Sequence, residues 1–150
     1  MSAIKEIIDT VKDISKDTVA RNNIRSELKD ELRLNLDFLR EVKTGKILKK
    51  DRMEQIIGNL EINELDAFLK CPFPKKLICS KNVTENTVKD INAHKLLRSG
   101  NEKPVDFEEL CRRIRRMIRF IKKDFGAQKE PKRTLQYIRN YARVALKLLS

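Results

Sequence analysis

The chain has 150 residues, of which 40% are apolar and 37% charged, and its formal net charge is +12. That length fills about one domain with one core, and no run approaches the ~18 consecutive apolar residues of a membrane span. Four scattered glycines, one histidine and three cysteines exclude a Gly-rich phosphate loop and leave little material for metal or triad chemistry.

Helical periodicity dominates from the start. Ile4, Ile7, Ile8, Val11 and Ile14 fall on one stripe, with Ser2 placed to cap it. Ile24, Leu28, Leu32, Leu36, Leu39 and Val42 form a second stripe, with Gly45 at a C′ position. Ile4, Val11, Thr18, Arg25, Leu32 and Leu39 share one seven-residue phase across the join. Residues 3–43 therefore read either as a hairpin turning at Asn22-Asn23 or as one helix of roughly 60 Å. Two segments are favoured, because Thr18, Arg21 and Arg25 interrupt the apolar seam. Asn35 shares the phase of Leu28 and Val42. It either is buried and fixes register between paired helices or lies at the edge of the seam.

Asp51 is expected to cap a short helix holding Met53, Ile56 and Ile57 that stops at Gly58, and a second short helix holds Ile62, Leu65, Phe68 and Leu69. Cys71-Pro72-Phe73-Pro74 dictates an extended stretch, since each proline fixes its own φ and pushes its predecessor out of the α region. Leu77, Ile78 and Cys79 are expected to dock this loop. Thr84 opens a helix expected to run to Gly100, with Val83, Thr87, Ile91 and Leu97 on a stripe that also holds His94. A lone histidine in such a place reads as a hydrogen-bonded packing residue. Asp106 and Glu109 form a capping-box pair, flanked by Val105 and Leu110 at staple positions. Gly126 ends that helix, and Pro131 opens a last one that runs nearly to Ser150.

The expected fold is all-α, a single-domain helical bundle of five to seven helices with short connections. Residues 1–45 supply charge-neutral amphipathic helices, 46–103 short helices and the Cys-Pro-Phe-Pro loop, and 104–150 a basic helical pair. The charged stretch from Met1 to Asp13 lacks the apolar segment of a signal peptide, so the expected address is the cytoplasm. No membrane association, cofactor or disulfide framework is expected.

The charge is concentrated. Residues 1–70 hold 14 Lys+Arg and 14 Asp+Glu, whereas residues 111–150 hold 13 and 2. On a helical wheel Phe107, Leu110, Cys111, Ile114, Met117, Ile118, Ile121 and Phe125 span a core-facing arc of about 120°. Lys122, Arg115, Arg119, Arg112, Lys123 and Arg116 fill the next arc of about 120° without an acid. Phe120 falls among Arg113, Arg116 and Lys123. It is expected to pack on a neighbouring helix, the alternative being to stack a base. In the last helix Arg139, Lys132, Arg143, Lys147 and Arg133 share a face, while apolar residues cover an arc of about 200°. That is more than one face needs, so this helix is either packed on two sides or offers a strip to a partner.

Arginine suits planar, bidentate contact with phosphate. The expected function is a non-enzymatic module, part of a larger complex, that binds nucleic-acid phosphates, RNA or DNA, through Arg112, Arg115, Arg116, Arg119, Lys122, Lys123, Lys132, Arg139, Arg143 and Lys147. Sequence readout is not expected, since no helix-turn-helix glycine, zinc-finger spacing or RNA-binding aromatic signature is present. One alternative is an adaptor that docks an acidic protein or a second copy of the chain. Another is a solvated face, or one neutralised by acids elsewhere, for instance on the first helix.

Two smaller patterns bear on chemistry. Lys89-Asp90-Ile91-Asn92-Ala93-His94 resembles the Arg-polar-x-x-x-His element of HEPN-type helical ribonucleases, with Lys where that element has Arg. The resemblance covers six residues. It implies a dimeric ribonuclease in which Lys89 and His94 act on the scissile phosphate. Cys71, Cys79, His94 and Cys111 number four, as zinc ligands do, but their wide spacing matches no compact zinc module. No metal site is expected, and Cys111 reads as a small apolar core residue.

Overall fold

A computed structural model describes residues 2–97, 103–127 and 129–150. They form seven α-helices: α1 (Ala3–Thr10), α2 (Thr18–Phe38), α3 (Lys50–Asn59), α4 (Asn63–Lys70), α5 (Glu85–Val88), α6 (Phe107–Lys123) and α7 (Pro131–Leu149). Four short 3-10 turns lie between them. Among the described residues there is no β-strand, only one bridge pairing Asn82 with Asp106. The fold is the expected all-α bundle.

α7 is the central element. It packs on α2 on one side and on α6 on the other, with α5 also against it. Leu135, Ile138, Tyr141, Val144, Ala145 and Leu148 are buried there. The wide apolar arc of α7 is thus consumed by two neighbours within the chain. α1 and α4 pack on α2, and α4 reaches α6 as well. One contiguous core draws on all seven helices and includes Leu32, Leu39, Leu110, Ile114, Ile118 and Ile138.

Two buried polar side chains, Glu31 and Asn35, and the half-buried Glu64 tie the helices together. Glu31 on α2 is only 8% exposed. Its carboxylate accepts from the N–H groups of Glu64 at 2.7 Å and Leu65 at 2.9 Å, in the first turn of α4. Glu64 in turn accepts from the N–H groups of Ala3 and Ile4, both at 2.8 Å, at the start of α1. Each carboxylate satisfies donors that a helix start leaves without intrahelical partners. Asn35 is 3% exposed. Its amide donates to the Glu61 carbonyl at 2.7 Å and accepts from the Glu61 N–H at 2.8 Å. The buried reading of Asn35 therefore holds, but its partner is the connection between α3 and α4, not a helix seam.

Several expected boundaries move. Residues 3–43 do contain two segments, but the break lies between Thr10 and Thr18, and Asn22-Asn23 sits inside α2. Asp13 caps a 3-10 turn through the Ser15 N–H, and Asp17 caps α2 through the Ala20 N–H. Arg21 donates to the Ile14 and Ser15 carbonyls, and Arg25 to the Ile78 carbonyl at 2.6 Å. The polar residues that interrupt the seam are thus the ones that bond the backbone of adjoining loops. α2 ends at Phe38, so Gly45 is not its C′ residue. It occupies a separate turn at φ +82°, a conformation glycine adopts without steric cost. α3 starts at Lys50 behind Lys49, which makes no side-chain cap bond. Asp51 lies within the first turn, and Gly58 is inside the helix.

The helix expected from Thr84 to Gly100 is not continuous. Thr84 does cap it, with a capping box to Thr87, but α5 stops at Val88 and the chain turns before a 3-10 segment at His94–Leu97. Val88, Ile91, Ala93 and Leu96 are buried, a spacing of three, two and three that no straight α-helix can turn to one side. Gly100 lies outside the described residues. Asp106 caps α6 by accepting from the Glu109 N–H at 2.8 Å, while the Glu109 carboxylate pairs with Arg113 at 3.1 Å. α6 ends at Lys123, three residues before Gly126, and Pro131 opens α7 as expected.

Candidate nucleic-acid interface

The local pattern of α6 decides which way its cations point. Phe107, Leu110, Cys111, Ile114, Ile118 and Ile121 are buried, which fixes the rotation of the helix. The basic residues are carried outward on the remaining faces. Arg112, Arg115, Arg116, Arg119 and Lys123 line a shallow groove of about 440 Å³ around Phe120. Phe120 is 54% exposed. The expectation that it packs on a neighbouring helix is therefore incorrect. Carried on the outer side of α6, away from the core arc, the ring reaches no other helix among the described residues.

The groove is basic but not free of acids. Asp66 on α4 binds Arg119 at 2.5 Å, Lys70 at 2.9 Å and Arg115 at 3.2 Å. Burial alone would raise the Asp66 carboxyl, but the Lys70 hydrogen bond and the charges of Arg119 and Arg115 outweigh it and hold the group below its ordinary range. Arg115 is the most confined of the cations, with 17% of its side chain exposed. Glu108 pairs with Arg112 one turn away at 3.1 Å. Among the described residues, the side chains of Arg116, Lys122 and Lys123 have no ion-pair or hydrogen-bond partner. Neutralisation by acids from elsewhere thus does occur, from α4 and the first turn of α6. It reaches only part of the face.

The basic residues of α7 are dispersed. Arg139 and Arg143 line a cleft of about 380 Å³ together with Lys43, Arg133 and Asn140. Lys132 lies elsewhere and donates to the Lys46 carbonyl. Lys147 is exposed near the end of α7. The α6 groove and the α7 cleft share no lining residue. The ten candidate cations therefore occupy at least two distinct places. Periodicity and charge in the sequence do not by themselves single out Asp66, Lys43 or Asn140. Asn140 carries a signal there, since it stands one turn from both Gln136 and Arg143 on α7.

The remaining candidates are not assembled. Lys89 ends α5 and His94 begins a separate 3-10 turn, so they share no helix face, and both are exposed. His94 is not the packing residue expected, and neither residue lines the groove or the cleft. Among the described residues no three His, Cys, Asp or Glu side chains stand close enough to hold a metal ion. Cys111 is fully enclosed, and burial pushes its thiol well above the ordinary range, so it acts as a core residue. A cleft of about 510 Å³ where α1 meets α4 presents both signs of charge, Lys5 and Lys70 against Asp9 and Asp66. Among the described residues no helix is long and apolar enough to cross a membrane. No protein-family model matches the chain, and neither a curated protein nor a solved structure matches it significantly.

Proposed function

We propose that the chain is a non-enzymatic helical binding module of the cytoplasm that holds nucleic-acid phosphates on the outer face of α6, as one subunit of a larger complex. The observation that carries this reading is the groove of four arginines and a lysine around the exposed ring of Phe120. Guanidinium groups supply paired donors at a spacing that fits phosphate oxygens. An exposed aromatic among them supplies a stacking surface that every base can use. A face meant only for solvation gains nothing from placing like charges at adjacent turns, where each pair costs a few tenths of a kcal/mol.

The test is charge reversal where no acid already competes. Arg116→Glu combined with Lys123→Glu should weaken binding to single-stranded RNA and duplex DNA alike. The loss should be on the order of tenfold, which is about 1.4 kcal/mol. The same reversal at Lys12 and Lys16, where acids interleave, should change little. Phe120→Ala should weaken single strands more than duplexes, because only an unpaired base can lie on the ring. A folded double variant that binds as the wild type does rules out this face. If the wild type binds neither nucleic acid at moderate salt, the face is a dock for an acidic protein.

A further inference from the structure

The cleft beside α7 differs in kind from the α6 groove. One helix lines the groove, whereas the cleft is walled by α7, by the segment that follows α2 and by Asn92 before the His94–Leu97 turn. Its α7 wall is a stripe. Arg133, Gln136, Asn140 and Arg143 follow one another at three, four and three residues, with Arg139 one turn from both Gln136 and Arg143. The wall is fixed in place by contacts across elements. Asn140 donates to the Asn92 carbonyl at 3.1 Å, and Lys95 donates to the Tyr137 hydroxyl at 2.7 Å.

Among the described residues no acid lines this cleft. Arg133 is engaged by Glu130 at 3.2 Å. The side chains of Arg139, Arg143 and Lys43 have no ion-pair or hydrogen-bond partner among the described residues. Burial, and next the charge of Arg143, push the Arg139 guanidinium below its ordinary range. Two half-buried guanidiniums thus repel one another across a concave polar space, and a compact anion between them would relieve that repulsion. The space is too small for a helical duplex. It suits a group carrying two or more negative charges within a few ångströms, for which arginine forks and side-chain amides are matched donors.

We infer that the α7 cleft is a separate binding site for a compact phosphoryl anion, a pyrophosphate or phosphate-monoester group, held by Arg139, Arg143 and Lys43 with Asn140 and Gln136 as neutral donors. The same chemistry is offered by a free nucleotide and by the phosphorylated end of a strand. The site does not rest on the α6 reading.

The chain has no tryptophan, and both tyrosines, Tyr137 and Tyr141, lie on α7 with Tyr137 on the cleft wall, so tyrosine emission reports on occupancy. Inorganic pyrophosphate titrated into the whole chain should change that emission saturably and raise the melting temperature. Arg143→Gln should weaken binding at least tenfold, as should Arg139→Gln. Lys43→Gln should weaken it severalfold, and because this residue is on an exposed segment it keeps the test decisive if a helix variant fails to fold. Arg116→Glu with Lys123→Glu should leave pyrophosphate binding unchanged. Absence of saturable binding by the wild type overturns the inference, as does wild-type affinity in folded Arg143→Gln and Lys43→Gln proteins. Competition identifies the source. Displacement by a 5′-phosphorylated oligonucleotide but not its 5′-hydroxyl form assigns a strand end, and displacement by nucleoside diphosphate alone assigns a free nucleotide. Equal displacement by both oligonucleotides would mean that the cleft reads internal phosphates, and the separate site would be withdrawn.

Discussion

Glu31 shows how much a single buried carboxylate can do in a small helical protein. It reaches from α2 to close the start of α4, and Glu64 repeats the device from α4 to α1. Burial works against the ionised form. The two backbone N–H bonds oppose it without cancelling it, and the Glu31 carboxyl is pushed up to about 7. The sign of the pH effect follows. An unfolded Glu titrates near 4.5, so between that pH and about 7 the folded protein binds more protons than the unfolded chain. This stabilisation is complete below the unfolded value and is lost as pH rises through about 7. One pKa unit corresponds to about 1.4 kcal/mol, so the rise from 4.5 to about 7 is worth on the order of 3 kcal/mol. Melting temperatures from pH 5 to pH 8 should fall more steeply for the wild type than for Glu31→Gln. Parallel curves would show that this carboxyl does not titrate in that window.

The contact between α4 and α6 is where the basic face meets an acid from another helix. Asp66 gathers Arg115, Arg119 and Lys70, and so restrains two of the cations in the groove. An acid that lowers the net charge of the face proposed to hold phosphates costs affinity there while it steadies the helices. Asp66→Ala should therefore reduce stability by on the order of 1 kcal/mol. It should also tighten binding to nucleic acid, because it frees two guanidiniums and adds one unit of positive charge. Chemical denaturation and a filter-binding titration on the same preparation check both signs. Loss of stability with unchanged binding would assign the cluster a purely structural role.

The distribution of charge over the fold sets how association depends on salt. The net +12 comes from residues 71–150, and the α6 face is where it is most concentrated. A face that meets about three to five phosphates should give a plot of log affinity against log salt with a slope near −3 to −4.5 on duplex DNA, from about 0.9 per phosphate. Reversing Arg116 and Lys123 should flatten that slope by about one per residue. A slope near zero with affinity intact would point away from phosphate contacts.

The residues determine the helices, because burial of an amphipathic stripe is a local pattern. The stripes of α2, α6 and α7, the caps at Ser2 and Asp106 and the proline start of α7 at Pro131 are legible in the sequence for that reason. So is the concentration of arginine on one face of α6. Other features are decided by elements distant in sequence. Asn22-Asn23 looks like a turn but lies inside α2, because Arg21 and Arg25 bond carbonyls of loops outside their own helix. The broken segment after Thr84 follows the shape of the core it covers, and helical spacing cannot report that shape. Phe120 is left exposed since, among the described residues, nothing folds over it on the outer face of α6. Asp66 and Lys43 join basic clusters from 49 and 96 residues away, counted to Arg115 and Arg139. Periodicity assigns a side chain to a face of its own helix. Only the packing of the helices decides which faces meet, which cations are neutralised, and that the basic surface divides into an open groove and a walled cleft.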